Sequence, residues 1–338
     1  VTARKWINRN VVGVGEAMLE FAPVGEGLYR RGFAGDTLNT CWHLAELIGQ
    51  YGRIGYFSGV GSDPWSENFI AFLESGGLDV TRVFRDPTRT IGLYVISLSG
   101  AERSFTYWRD MSAARRLADD PVRLAGALRD VGLIHVSGIT LAIIGDEGRG
   151  NLLSALDRAR DQGAVVSFDP NARLRLWPDE AALRRATRAM MDAADIVLPS
   201  FDDETNLWGD VAPEATVARM EGYGVQEIVV KNGAGSVVFS LDGARGEAPT
   251  PKVETICDTT GAGDAFNAGY LAARLAGMGP LESCELGQQV AATIISHFGA
   301  LTPRKALAAS RQRVHRRLAC IELQSPLYLW RGEEKLTR

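Results

Sequence analysis

Four cysteines are scattered through 338 residues, at positions 41, 257, 284 and 320, with no CxxC pair among them. Such spacing offers neither a zinc site nor a disulfide framework. The four histidines, His43, His135, His297 and His315, do not cluster, which argues against a histidine metal centre. No apolar run approaches the ~20 residues that span a bilayer, and no cationic stretch leads into an apolar segment at the N-terminus. A net charge of -4 gives no reason to expect nucleic acid or an anionic membrane as partner. No GxxxxGK[ST] loop occurs, so a Walker-type nucleotide site is excluded. Internal repeats and low-complexity tracts are also missing. The expectation is a soluble, cytoplasmic protein with a polar leader before Val11, long enough for one large domain.

Short apolar runs alternate with longer helical patterns. Val11 to Gly15 reads as a buried strand, and Thr37 to Gln50 as a helix with Leu38, Cys41, Leu44, Ala45 and Ile48 on its apolar face. Ile54 to Phe57 is the next strand, followed by a helix over 67–74. Leu133 to Ser137 and Val165 to Phe168 bracket a helix over 148–161. Ile196 to Leu198, Glu227 to Val230 and Ser236 to Phe239 continue the series. This order predicts an α/β fold with a mainly parallel central sheet covered by helices on both faces. Two stretches break the rhythm. Ala17 to Phe33 places Met18, Glu20 and Ala22 on one strand face and Leu19 and Phe21 on the other. Residues 90–108 read as a hairpin: Ile91 to Leu98, a turn centred on Gly100, then Arg103 to Trp108. These stretches are either a small β layer over the ligand end of the sheet or plain surface hairpins.

Asp258-Thr259-Thr260-Gly261-Ala262-Gly263-Asp264 runs straight into an apolar pattern at helical spacing. Such a turn brings backbone N–H groups to an anion at a helix N-terminus, where the dipole favours negative charge. Asp264 then stands beside the anion as a general base, with Gly261, Ala262 and Gly263 as donors for developing charge. The alternative for a lone GxGD is an acid that only caps the helix.

The whole string resembles the C-terminal signature of the ribokinase (PfkB-type) carbohydrate kinases. Ala34-Gly35-Asp36-Thr37-Leu38-Asn39-Thr40 is similar to that family's N-terminal glycine-pair motif, with Ala34 in place of the first glycine, and Gly59-Val60-Gly61-Ser62-Asp63 to the element after it. Within the family the combination is closest to the kinases of 2-keto-3-deoxygluconate. It comprises Gly15-Glu16, Arg31-Gly32-Phe33, Tyr107-Trp108-Arg109, Asp169-Pro170-Asn171-Ala172-Arg173 ahead of Leu176-Trp177, and Pro199-Ser200-Phe201-Asp202-Asp203-Glu204. The resemblance covers roughly residues 11 to 305. It implies a ribokinase-like three-layer sandwich with a small β lid (17–33 and 90–109) on a core of 11–16, 34–89 and 110–320. The tail 321–338 has no assigned role. It also implies ATP-dependent phosphorylation of a sugar acid at its terminal hydroxyl, with a kinase for another sugar such as fructose, or a silent sugar-binding relative, as alternatives.

The substrate side has physical content of its own. Tyr107 and Arg109 are two apart on a strand and face the same way, and Arg173 follows Val165 to Phe168 at the end where open sheets bind ligands. Two guanidinium groups suit a carboxylate, which they match with paired hydrogen bonds. The competing readings are a surface charge for Arg109 and a partner of Asp169 for Arg173. The resemblance adds Gly35, Asp36, Asn39 and Tyr94 as sugar contacts. Glu20, where related kinases place an acid, is left out because it would repel a sugar acid. For the nucleotide it implies Ser200, Lys231, Gly233, Gly261, Gly263 and Asn267, with Gly299 also near the adenine. For Mg2+ it implies an outer-shell acid, with Asp203 in the acid position and Glu204 one residue on; both also suit a helix N-terminus. Asp258 and Thr260 match positions that hold K+ in some relatives. A homo-oligomer is also expected.

Overall fold

The computed structural model describes residues 6–25, 27–99 and 102–323. The expected turn at Gly100 and most of the tail therefore lie outside the described residues. The chain opens with β1 (Asn10–Val14), β2 (Met18–Gly25), β3 (Leu28–Ala34), α1 (Asp36–Ile48), β4 (Arg53–Phe57), β5 (Gly59–Val60) and α2 (Pro64–Ser75). It continues through β6 (Phe84–Arg85), β7 (Gly92–Ser99), β8 (Glu102–Trp108), α3 (Pro121–Ala127), β9 (Leu133–Ser137), α4 (Gly138–Ile143) and α5 (Gly145–Asp161). Next come β10 (Val165–Asp169), α6 (Glu180–Ala193), β11 (Ile196–Val197), α7 (Phe201–Trp208), α8 (Pro213–Gly222) and β12 (Glu227–Val230). The last elements are β13 (Val237–Leu241), β14 (Ala244–Ala248), α9 (Ala262–Leu275), α10 (Pro280–Ile295) and α11 (Ala308–Leu323).

The large sheet has the order β14-β13-β12-β11-β10-β9-β1-β4. From β12 to β4 all neighbours are parallel, while β13 and β14 return antiparallel at one edge. Continuous burial of β9 and β10 matches their apolar runs, because helices cover both faces. One core cluster lies on each side of the sheet. Registers such as Val14↔Val136 and Asp169↔Ser137 bring the ends of β1, β9 and β10 to one rim.

The two irregular stretches pair with each other. They form a second sheet, β3-β2-β7-β8, in which β2 and β7 are parallel. Leu19 joins the main core, whereas Met18 joins Ala34, Tyr94 and Ile96 in a separate small cluster. Alternation along β2 thus separates two apolar environments, as its pattern requires.

Element bounds differ locally from expectation for identifiable reasons. The α2 helix begins at Pro64, earlier than expected, because Asp63 caps it by accepting from the Trp65 and Ser66 N–H groups at 3.0 and 3.1 Å. Part of the polar leader is anchored: the Trp6 indole donates to the Arg274 carbonyl at 3.1 Å and its ring packs on the core.

Candidate active site

The signature forms a tight turn before α9. Gly261 is the N-cap with φ +76, a left-handed conformation that a side chain would strain, and a Cβ there would lie 2.8 Å from Ala300 Cβ. Asp258 braces the turn: one carboxylate oxygen accepts from the Thr260 N–H (3.0 Å) and hydroxyl (2.7 Å), the other from the Gly299 N–H (2.9 Å). Of the first-turn N–H groups of α9, that of Ala262 already donates to the Thr259 carbonyl at 3.2 Å, which corrects its expected role as a donor for developing charge. Those of Gly263 and Asp264 precede the first i−4 bond of the helix, made by Ala265 to Gly261 at 2.9 Å.

Asp264 accepts a hydrogen bond from the Asn39 amide at 2.8 Å, and the Thr40 hydroxyl donates to its carbonyl at 3.3 Å. Those bonds fasten α9 to α1. Burial, followed by the charge of Asp36, pushes the Asp264 carboxyl up to about 8; the Asn39 bond and the Lys231 charge oppose that rise. Gly35, at the start of α1, tolerates no side chain because a Cβ would lie 2.3 Å from the Glu16 carbonyl. Asp36 accepts from the Asn171 amide at 2.8 Å, drawing the segment after β10 to the same place.

Lys231 follows β12 and points under the turn, its ammonium 3.6 Å from where a Cβ on Gly263 would stand. It donates to Asp169 at 2.6 Å and to the Asn267 carbonyl oxygen at 3.0 Å, while the Asn267 NH2 group donates to Asp169 at 2.6 Å. Burial alone would raise the Asp169 carboxyl, but Lys231 and the two hydrogen bonds hold it below the usual carboxylate range. Asn267 thus braces the lysine–carboxylate pair beneath the turn where it was expected to meet the nucleotide. An open cleft of about 810 Å³ lies instead between residues 249–255 and α10, lined by Pro251, Val253, Thr255, Gln289, Ala292 and Ser296. The Cys257 and Asp258 N–H groups both bond the Ile295 carbonyl, so this cleft abuts the signature.

Each expected sugar contact has an internal partner. The Tyr94 hydroxyl donates to Glu20. Arg109, past the end of β8, forms a buried ion pair with Glu16, just past the end of β1. Glu16 Oε1 and Arg109 Nε remain buried without partners. Arg109 also lies 5.9 Å from the Tyr107 ring centre, on the same side of the strand, while Trp108 points outward and is 57% exposed. Arg173 pairs with Asp203 at 3.2 Å and not with Asp169, whose carboxylate is held by Lys231. Glu16, Asp169, Asn171 and Arg175 were not singled out by sequence reasoning, although the first three lie inside motifs that it quoted.

The two candidate metal acids separate cleanly. Glu204 is fully buried, accepts from Arg219 at 2.7 Å, and is raised to about 7 by burial. Asp203 faces the rim beside Arg173; burial raises it and Arg173 draws it down. Ser200 holds the N-cap position of α7 without a side-chain capping bond, its backbone bridges to Lys231, and Gly233 lies in the following turn. Among the described residues no three His, Cys, Asp or Glu side chains form a metal-binding group, and no helix is long and apolar enough to cross a membrane.

A proton acceptor set among backbone donors suits transfer of a phosphoryl group to an alcohol, and a parallel sheet with a second small sheet at its ligand end is the ribokinase-like arrangement. The chain belongs to the pfkB family of carbohydrate kinases, whose model matches residues 8–307. It is 35% identical to the 2-dehydro-3-deoxygluconokinase of Escherichia coli K12, over 90% of this chain and 100% of that protein. The Dickeya dadantii 2-dehydro-3-deoxygluconokinase is also 35% identical, over 89% of this chain and 99% of its own. A crystal structure of a PfkB protein from Polaromonas sp. JS666 matches with a TM-score of 0.76 at 27% identity, covering 89% of this chain and 99% of that one.

Proposed function

We propose that this chain is an ATP-dependent 2-keto-3-deoxygluconate kinase, giving 2-keto-3-deoxy-6-phosphogluconate. The observation that carries the reading is its 35% identity to named kinases of that sugar acid over nearly their whole length. The arginines supply the physical rationale, since Arg109 follows β8 of the small sheet and Arg173 follows β10 of the large one, each held by a carboxylate. Arg109 keeps a buried unpartnered Nε, and a substrate carboxylate answers such a donor.

In this reading Asp264 takes the proton of the terminal hydroxyl as the oxygen attacks the γ-phosphorus of ATP, the bond from that phosphorus to the bridging oxygen breaks, and ADP leaves. The Gly263 and Asp264 N–H groups at the start of α9 receive the developing charge. Lys231 sits under the turn to meet phosphate, and Asp169 and Asn267 hold it in place until then. The cleft beside α10 takes the adenine. Mg2+ bound with the nucleotide would neutralise charge on the phosphates. Asp203 fits its outer shell, being a hard oxygen donor at the rim, whereas Glu204 is committed to Arg219. A role for K+ rests on Asp258 and Thr260, which bond each other; replacing K+ by a bulky cation in the assay tests it. The small sheet is read as a lid that excludes water, so that ATP is not hydrolysed. The reading takes the protein as a cytoplasmic homo-oligomer, which sizing of the purified chain checks.

A coupled assay for ADP over sugars and sugar acids decides the substrate. Arg173→Ala should cost about 2 kcal/mol in kcat/KM for the sugar acid, the low end for an ion pair because Arg173 is 40% exposed. Slow phosphorylation of neutral sugars should hardly change. Preference of the wild-type enzyme for fructose or ribose would leave only the kinase assignment standing.

A further inference from the structure

Arg175 has no part in the roles given above. It stands in the 3-10 turn Leu174–Leu176 after β10, two residues past Arg173. Its guanidinium donates to the Tyr107 hydroxyl at 2.6 Å, and its central carbon lies 4.7 Å from the Tyr107 ring centre. Tyr107 is in β8, which is an edge strand of the small sheet. One exposed side chain thus both bonds and covers a tyrosine on the other layer of the molecule.

We propose that Arg175 is a positioning and specificity-determining residue for the sugar acid, acting through Tyr107. This rests on the sugar-acid kinase reading. A phenol oxygen that accepts from a guanidinium keeps its own O–H to give, and that proton turns away from the arginine. Tyr107 is thereby fixed as a donor beside Arg109, whose guanidinium lies 5.9 Å from the same ring. The charge of Arg175 itself is exposed and screened, so its direct pull on a bound carboxylate is small. Its effect runs through the hydroxyl it orients. Because the contact also joins the turn after β10 to the small sheet, it favours the arrangement in which both layers face the same ligand.

The test compares Arg175→Ala, Tyr107→Phe, the double variant and Arg175→Lys, with 2-keto-3-deoxygluconate and with fructose at saturating MgATP. Arg175→Ala should raise KM for the sugar acid roughly tenfold, as for loss of one charge-assisted hydrogen bond, with kcat and thermal midpoint little changed. The double variant should be no worse than Tyr107→Phe alone. Arg175→Lys should not rescue, because an ammonium lacks the planar fork that both stacks and donates. Additive losses, full rescue by lysine, an equal loss with fructose, or an unchanged KM would each overturn the proposal. A wild-type enzyme that prefers fructose removes the sugar-acid reading and this proposal with it. A wild-type preference for the acid with an unaltered Arg175→Ala KM removes this proposal alone.

Discussion

The acid limb of the pH–rate profile should lie far above the usual carboxylate range. A base must be deprotonated to act, and Asp264 is raised to about 8 by burial and by the Asp36 charge. At pH 7 a group of that pKa is ionised in only ~10% of molecules, whereas an ordinary aspartate near 4 is ionised in nearly all. The sign follows directly: kcat/KM, which reports the free enzyme, should fall about tenfold per pH unit below that value and level off above it. Neighbouring charges give the reasoning its sharpest check. Asp36→Asn removes a repelling charge and should move the limb to lower pH. Lys231→Met removes a stabilising charge, and Asn39→Ala removes the 2.8 Å hydrogen bond; both should move it to higher pH. Asp264→Asn should lose ~10²–10⁴-fold in turnover while nucleotide and sugar still bind by calorimetry. The assay is coupled ADP release from pH 5 to 10 at constant ionic strength. A limb near pH 4, or one that Asp36→Asn and Lys231→Met shift in the same direction, would refute the assignment.

Magnesium titration should separate the adjacent acids. Asp203→Asn should raise the Mg2+ concentration for half-maximal velocity, while Glu204→Gln should leave it alone and lower the thermal midpoint, because Glu204 is the buried partner of Arg219. Arg109→Ala should destabilise the fold by ~3–5 kcal/mol in denaturant, since it strands the buried Glu16 carboxylate, and adding Glu16→Gln should recover part of that loss. Gly261→Ala should cost ~1–3 kcal/mol and most of the turnover, given its φ of +76 and a methyl 2.8 Å from Ala300 Cβ. Wild-type stability and turnover in that variant would mean that the turn is not strained as described.

The central strands could be read from the chain because a parallel sheet buried on both faces imposes uninterrupted apolar runs, such as Val165 to Phe168. The edge escaped for the opposite reason. In β14, Ala-Arg-Gly-Glu-Ala is largely solvated and carries no run, and only pairing with β13 makes it a strand. Motifs likewise named the chemical types of the site but not their partners. The Glu16–Arg109 pair joins residues 93 apart, and Arg173–Asp203 joins residues 30 apart. Such pairings are properties of the packed rim and leave no local pattern.

Asp203 and Glu204 show where more could have been read. Successive helix residues are rotated by about 100°, so two adjacent acids cannot both face the cleft. Glu204 shares a face with Leu207, three residues on, and an apolar residue at that spacing marks the inward side. The structure buries both. Asp203 is thereby left to the rim beside Arg173. The helical period of Leu207 therefore distinguishes the two acids where motif position alone did not.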